Sequence, residues 1–169
     1  MQISALKETS KDENRVALTP DAIKLFQRLG LDVLIEDGAG NNSGYPNNLY
    51  EENGAKIVSR NECLKADICL CVKIPTEEDL NLLNENTVLI GILNPYENNK
   101  YFNRAIFVHP SGDLEIYDKR HLFSLAGEHR QYTSGNTRIV INFKGWRICP
   151  LICYDLRFAD LYRTLAKSG

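Results

Sequence analysis

The sequence reads as an α/β protein whose sheet changes character near its middle, and three observations carry that reading. From residue 1 to 93, short apolar runs alternate with helix-forming segments, which argues for a mostly parallel sheet covered by helices. A polar, turn-rich stretch follows, Asn94-Pro95-Tyr96-Glu97-Asn98-Asn99-Lys100, of the kind that marks a boundary. Beyond it the apolar runs come in pairs around short turns, which argues for hairpins.

Each element has a local reason. Residues 1–6 form a plausible strand, and a charged loop fills 7–18. Thr19 caps a helix whose first residue is Pro20, Ile23, Leu25, Phe26 and Leu29 give that helix one apolar face, and Gly30 ends it. Strands are expected at 32–36, 56–58, 66–72 and 87–93, with short helices at 49–53 and, after Pro75, at 76–83. In the second half, 104–109 and 114–118 flank Pro110-Ser111-Gly112-Asp113, and 138–143 and 146–151 flank Lys144-Gly145. Between these hairpins, 121–137 is a polar loop of the length that usually carries function. The run 147–152 reads as a buried strand, and a helix is expected from Asp155 onward, its stripe made by Leu156, Ala159, Leu161, Leu165 and Ala166.

Composition narrows the function classes. A chain of 169 residues with 43% hydrophobic and 25% charged residues has the make-up of a soluble globular protein with a real core. A net charge of −2 gives no electrostatic footprint for nucleic acid. No apolar run approaches a membrane span and residues 1–10 lack a signal-peptide core, so no membrane partner and a cytoplasmic location are expected. The five cysteines lack framework spacing, which suits reduced thiols. Cys69 and Cys71 would share one strand face, but without a second ligand pair no metal site is expected, and His109, His121 and His129 are too scattered to make one.

The chemistry concentrates at Cys153. A cysteine at a sharp strand-to-helix turn is exposed and lies near backbone N–H groups, which lower a thiol pKa and can hold an oxyanion. The plain alternative is an ordinary buried cysteine. The run Cys153-Tyr154-Asp155-Leu156-Arg157-Phe158 resembles the nucleophile motif of the nitrilase, or carbon–nitrogen hydrolase, superfamily. Upstream, Tyr117-Asp118-Lys119-Arg120-His121-Leu122-Phe123 resembles its lysine motif, and Glu128 in Gly127-Glu128-His129 matches its second glutamate. The likeness covers about 101–169, is nearest the omega-amidase-like members, and implies a partial α/β sandwich of that family with hairpins. It also implies roles: Cys153 attacks the carbonyl of a small-molecule amide, Lys119 and the Tyr154 backbone N–H hold the oxyanion, and Glu128 orients the lysine or the substrate amine. Asp155 and Arg157 read as a structural ion pair. The family's general base is a glutamate in a Pro-Glu context, and the chain has no Pro-Glu, so an incomplete site is expected.

The first half resembles a different family. Lys7-Glu8-Thr9, Glu13-Asn14-Arg15-Val16-Ala17-Leu18-Thr19-Pro20, Gly38-Ala39-Gly40 and Val72-Lys73-Ile74-Pro75 resemble the N-terminal domain shared by alanine dehydrogenase and the alpha subunit of proton-translocating NAD(P) transhydrogenase. The likeness runs over 1–98 and implies a Rossmann-like arrangement, with Arg15 and Lys73 as substrate-binding residues in the alanine dehydrogenases. Asn94 stands near the position of that family's histidine, which favours the transhydrogenase side. NAD(P) is the family's cofactor, held by a second domain whose glycine-rich turn has no counterpart after Asn98, so no cofactor is expected on this chain. The run Gly38-Ala39-Gly40-Asn41-Asn42-Ser43-Gly44 invites a phosphate-loop reading, but Pro46 follows instead of a helix, and a plain turn is the expectation.

The chain therefore reads as a composite: domain 1–98 from an oxidoreductase family and domain 99–169 from a truncated carbon–nitrogen hydrolase, joined by fusion, truncation or misassembled sequence. Three functions stay open: an amidase-like thiol hydrolase, a transhydrogenase-like fragment, and a non-enzymatic module. Self-association into a homo-oligomer is open as well.

Overall fold

The structure is a computed structural model that describes residues 1–158 together with Asp160 and Arg163. It divides into two compact units, Met1–Gly91 with Phe107–Asp113, and Ile92–Ile106 with Leu114–Gly169.

The first unit is built on parallel strands. β1 (Gln2–Ala5), α1 (Pro20–Arg28), β2 (Asp32–Glu36), α2 (Asn47–Glu52), β3 (Lys56–Val58), α3 (Arg60–Cys63), β4 (Ile68–Leu70), α4 (Glu77–Leu82) and β5 (Val88–Leu93) follow one another. The strands lie in the order β3-β2-β1-β4-β5, every neighbouring pair parallel. Ile3 stands opposite both Val33 and Ile68, Ile35 opposite Ile57, and Cys69 opposite Leu89. These positions are apolar on both faces because helices cover a parallel sheet from both sides. Ala5, Ile35, Cys69 and Val88 are fully buried. The chain runs outward from β1 through β2 to β3, then returns to lay β4 on the other side of β1. The crevice at the carboxyl ends of β1 and β4 is thus a topological switch point, where α/β sheets bind ligands.

The second unit is made of hairpins and tight turns. β6 (Tyr96–Glu97) and β7 (Lys100–Tyr101) pair antiparallel around Asn98 and Asn99, both at positive φ (51° and 61°), as a two-residue hairpin loop requires. β8 (Arg104–Val108) contributes its first three residues to this unit and neighbours β9 (Leu114–Asp118). β10 (Ile141–Phe143) and β11 (Trp146–Ile148) form a hairpin over Lys144 and Gly145, again both at positive φ. Arg104 staples the unit: its guanidinium donates to both Asp118 oxygens at 2.7 and 3.0 Å and to Glu97 at 2.7 Å.

The main correction concerns the carboxyl end. The strand expected at 147–152 stops at Ile148, and the helix expected from Asp155 begins as a 3-10 turn, Cys153–Arg157. Pro150 explains the first, since it has no N–H for a ladder. Ala159, Leu161, Leu165 and Ala166, the rest of the expected stripe, lie outside the described residues. The strands expected at 66–72 and 138–143 are also shorter than their apolar runs, at Ile68–Leu70 and Ile141–Phe143. α3 was unexpected although its signal was present: Ser59 and Glu62 form a reciprocal capping box, the Ser-x-x-Glu signature of a helix start.

Candidate functional site

Side chains two apart on a strand project to the same side. Tyr117 on β9 and Lys119 just beyond it obey this rule, and both point inward: Tyr117 is 2% exposed and Lys119 3%. A buried ammonium needs a partner with good geometry. Lys119 Nζ donates to Glu128 Oε2 at 2.7 Å and to Oε1 at 2.9 Å. Glu128 opens a 3-10 turn, Glu128–Arg130, behind Gly127 at positive φ. Its Oε1 also accepts from Asn103 Nδ2 at 3.1 Å, and its Oε2 from the Phe123 N–H at 2.6 Å. Burial works to raise the Glu128 pKa, but donation from Lys119, the Phe123 N–H and Asn103, with the attraction of the Lys119 charge, outweighs it and holds the carboxyl below its usual range.

The Lys119 backbone is pinned on both sides. Its N–H donates to the Asn103 carbonyl and its carbonyl accepts from the Gly135 N–H, each at 2.9 Å. Position 135 must be glycine, because a Cβ there would stand 2.2 Å from the Asp118 carbonyl oxygen.

Cys153 lies on the turn after the apolar run, and it is exposed. Its φ of 50° is left-handed, uncommon for a residue with a Cβ. What holds the turn is Asp155, fully buried two residues on. Its Oδ2 accepts from the Tyr117 hydroxyl at 2.7 Å and the Ile152 N–H at 3.3 Å, and its Oδ1 from the His121 N–H at 2.8 Å. The His121 Nδ1 lies 3.0 Å from the same Oδ1. Burial, then the bond to Asp155 and its charge, push the Tyr117 phenol up, so it stays a donor. The expected Asp155–Arg157 ion pair is replaced by these contacts, and Arg157 faces solvent. Aromatic rings surround the turn: His121 stacks on Phe158 with centroids 3.7 Å apart, and Tyr154 meets Phe123 at 4.9 Å and Phe158 at 5.4 Å.

Lys119 and Glu128 are therefore brought together directly, and the Cys153 turn is tied to the strand that carries Lys119 through Tyr117 and Asp155. Sequence reasoning missed Asn103, which has no local signal, and Tyr117, which the two-residue strand period could have found. The other cysteines are less exposed than Cys153. Burial above all pushes up the thiols of Cys63, Cys69 and Cys71, Cys69 to about 11, and that of half-buried Cys149 also rises.

In the first unit, Arg15 and Lys73 have different settings. Arg15 is mostly exposed, and its guanidinium donates to Glu13 Oε1 at 2.8 Å and Oε2 at 2.6 Å. Those bonds, chiefly the side-chain one, hold buried Glu13 down at about 2. Lys73 lines a pocket with Lys7, Thr9, Ser10, Arg60 and Cys71 at the carboxyl ends of β1 and β4, the switch point of the sheet. Its walls are tied by Glu8, which accepts from the Val72 and Lys73 N–H groups at 2.6 and 3.1 Å. The glycine run does not fit a phosphate-bearing cofactor: a Cβ on Gly40 would fall 2.5 Å from both the Tyr50 hydroxyl and the Tyr45 carbonyl, so the chain itself fills the cradle. Among the described residues no cluster of three metal-ligating side chains occurs, and no helix is long and apolar enough to cross a membrane.

Comparison with known proteins separates the two sections. The family model "Alanine dehydrogenase/PNT, N-terminal domain" matches residues 4–107. Alanine dehydrogenase 1 of Staphylococcus aureus is 36% identical over 93 residues, 55% of this chain and 25% of that protein. A transhydrogenase from Sinorhizobium meliloti superposes with a TM-score of 0.55 at 33% identity, over 58% of this chain and 30% of that one. The Escherichia coli omega-amidase YafV is 52% identical over 63 residues, 37% of this chain and 25% of the enzyme. The chain thus spans about a quarter of the length of the curated relatives it matches. Over residues 4–107 it belongs to the alanine dehydrogenase/PNT N-terminal domain family, and it is a composite that joins this family's sequence to sequence similar to an omega-amidase.

Proposed function

We propose that the carboxyl-terminal domain, 99–169, holds the acyl-accepting part of a carbon–nitrogen hydrolase site and lacks the base that amide turnover needs. Cys153 is the nucleophile, and Lys119 with the Tyr154 backbone N–H stabilises the tetrahedral oxyanion. Glu128 acts through Lys119, fixing its ammonium. The observation that carries this reading is the buried Lys119 held by both Glu128 oxygens. An ion pair so placed is a weak source of stability and a good way to aim a charge. The substrate class, a small amide, rests on the omega-amidase likeness.

Brief iodoacetamide treatment with peptide mapping tests the nucleophile. The first label is expected on Cys153, and Lys119→Ala should slow it. Equal labelling of Cys63 and Cys153 would remove the assignment. Steady ammonia release from an omega-amide, lost in Cys153→Ala, would show that a base is present after all.

A second reading is favoured by one observation, the switch-point pocket with Lys73 in its wall. Domain 1–98 then keeps the substrate-side binding of its family, with Lys73 in the pocket wall recognising the carboxylate of a small 2-oxo acid and Arg15, which lies outside that lining, held by Glu13, while NAD(P) is the cofactor of a second domain in that family. Calorimetry with pyruvate on the whole chain should give weak binding that Lys73→Ala abolishes; unchanged binding in that variant would rule the pocket out.

A further inference from the structure

The acyl donor that this site can use follows from the state of its two carboxylates. Both Glu128 oxygens each accept two bonds, from Lys119 and Asn103 and from Lys119 and the Phe123 N–H. Both Asp155 oxygens are likewise engaged, by Tyr117 and the Ile152 N–H and by the His121 backbone and ring nitrogens. A carboxylate whose lone pairs all face donors has no room to take a proton from water. It has none to give a leaving amine. Amide cleavage requires that proton transfer, because an amine cannot depart as its anion. A thiolate can, since its conjugate thiol has a pKa of about 8.5.

Resting on the proposed roles of Cys153 and Lys119, we infer that the second unit exchanges acyl groups with thioesters and stores them on Cys153. The Cys153 sulfur attacks the thioester carbonyl, a new C–S bond forms, and the oxyanion faces Lys119. Collapse breaks the original C–S bond, and the electron pair leaves on the donor sulfur as a thiolate, which takes up through solvent the proton that Cys153 gave. One thioester and one thiol become another thioester and another thiol. No oxidant or activated cofactor enters. The exchange is nearly balanced in free energy, so a second thiol can carry the acyl group away, whereas water needs a base that neither Glu128 nor Asp155 offers. The rings of Phe123, Tyr154, Phe158 and His121 around the turn suit a flat, apolar acyl group.

The test uses the whole chain with the acetyl and phenylacetyl thioesters of N-acetylcysteamine, read by intact mass and thiol release. Expected is a burst of one thiol per chain and one acyl group mapped to Cys153, faster for phenylacetyl, then a plateau. Excess mercaptoethanesulfonate should discharge the acyl group. Lys119→Ala should slow the burst by about 10²- to 10³-fold, the usual effect of removing one oxyanion donor. Should that variant fail to fold, the paired Lys119→Met, Glu128→Gln change removes both charges together and should show the same slowing. Continued release with free acid accumulating would overturn the inference by revealing a working base. Absence of acyl-Cys153 while iodoacetamide still labels Cys153 first would sink the exchange and spare the nucleophile assignment; loss of both would remove the two together.

Discussion

The Tyr117 hydroxyl donates to Asp155 Oδ2 at 2.7 Å, and each residue lies two positions from a member of the proposed site, Lys119 in one case and Cys153 in the other. One hydrogen bond between two fully buried groups thus couples the strand end to the cysteine turn. Tyr117→Phe removes only the hydroxyl. Loss of a bond to a buried carboxylate should lower stability by about 1.5–3 kcal/mol, measured by urea denaturation, and should reduce the selectivity of Cys153 labelling. A variant with unchanged stability and labelling would show the bond to be incidental.

Glu128→Gln keeps the shape and removes the charge. The Lys119 ammonium, 3% exposed, is then left without its counter-charge. Breaking a buried pair from one side destabilises by about 3–5 kcal/mol. The double change with Lys119→Met should recover much of that loss, and a thermodynamic cycle over the four chains measures the coupling.

Gly135→Ala should be as damaging as a core substitution, although position 135 is only partly buried. The added methyl would meet the Asp118 carbonyl oxygen, and the Gly135 N–H that holds the Lys119 carbonyl would be displaced. Lower urea resistance together with a slower acyl burst is expected. Wild-type behaviour in both would mean that the loop yields freely.

Acid should weaken the first unit in a defined window. The bond from Arg60 first, with the Thr76 contacts helping, holds buried Asp79 at about 2 against an ordinary value of 3.8. The folded chain takes the proton less readily than the unfolded one, so this contribution is complete above about pH 4 and is lost as pH falls through about 2. Asp79→Asn should flatten that limb of the stability profile, which urea titrations at several pH values would reveal.

Proteolysis should begin at the β6–β7 hairpin. Asn98, Asn99 and Lys100 are exposed, and the hairpin has only two residues per strand. Trypsin is expected to cut first after Lys100, near the boundary proposed at 98/99. First cuts within 32–36 or 114–118 would count against it.

Legibility followed how local each determinant was. β2 and β9 were readable to the residue, because an apolar run bounded by turns needs nothing else, and α1 was readable from Thr19 and Pro20, although Thr19 makes no side-chain cap bond. The proposed trio Cys153, Lys119 and Glu128 rests on motif likeness alone, and the hydrogen bonds around it had no signal in the sequence. Asn103 reaches Glu128 across 25 positions and Tyr117 reaches Asp155 across 38, separations at which sequence spacing carries no signal. The missed end of the apolar run at 147–152 had a visible cause in Pro150, outweighed there by the hydrophobic pattern.

The left-handed backbone at Cys153 sets two demands against each other. A side chain in that region is strained by roughly 1–2 kcal/mol, and glycine would relieve the strain where alanine would keep it. Stability and nucleophilicity therefore pull position 153 toward different residues. A library randomised there and sorted by heat survival should enrich glycine, while the same library sorted by capture of an acyl group should return cysteine. The ratio between the two outcomes would measure how much folding stability the chain forgoes to present a thiol on that turn.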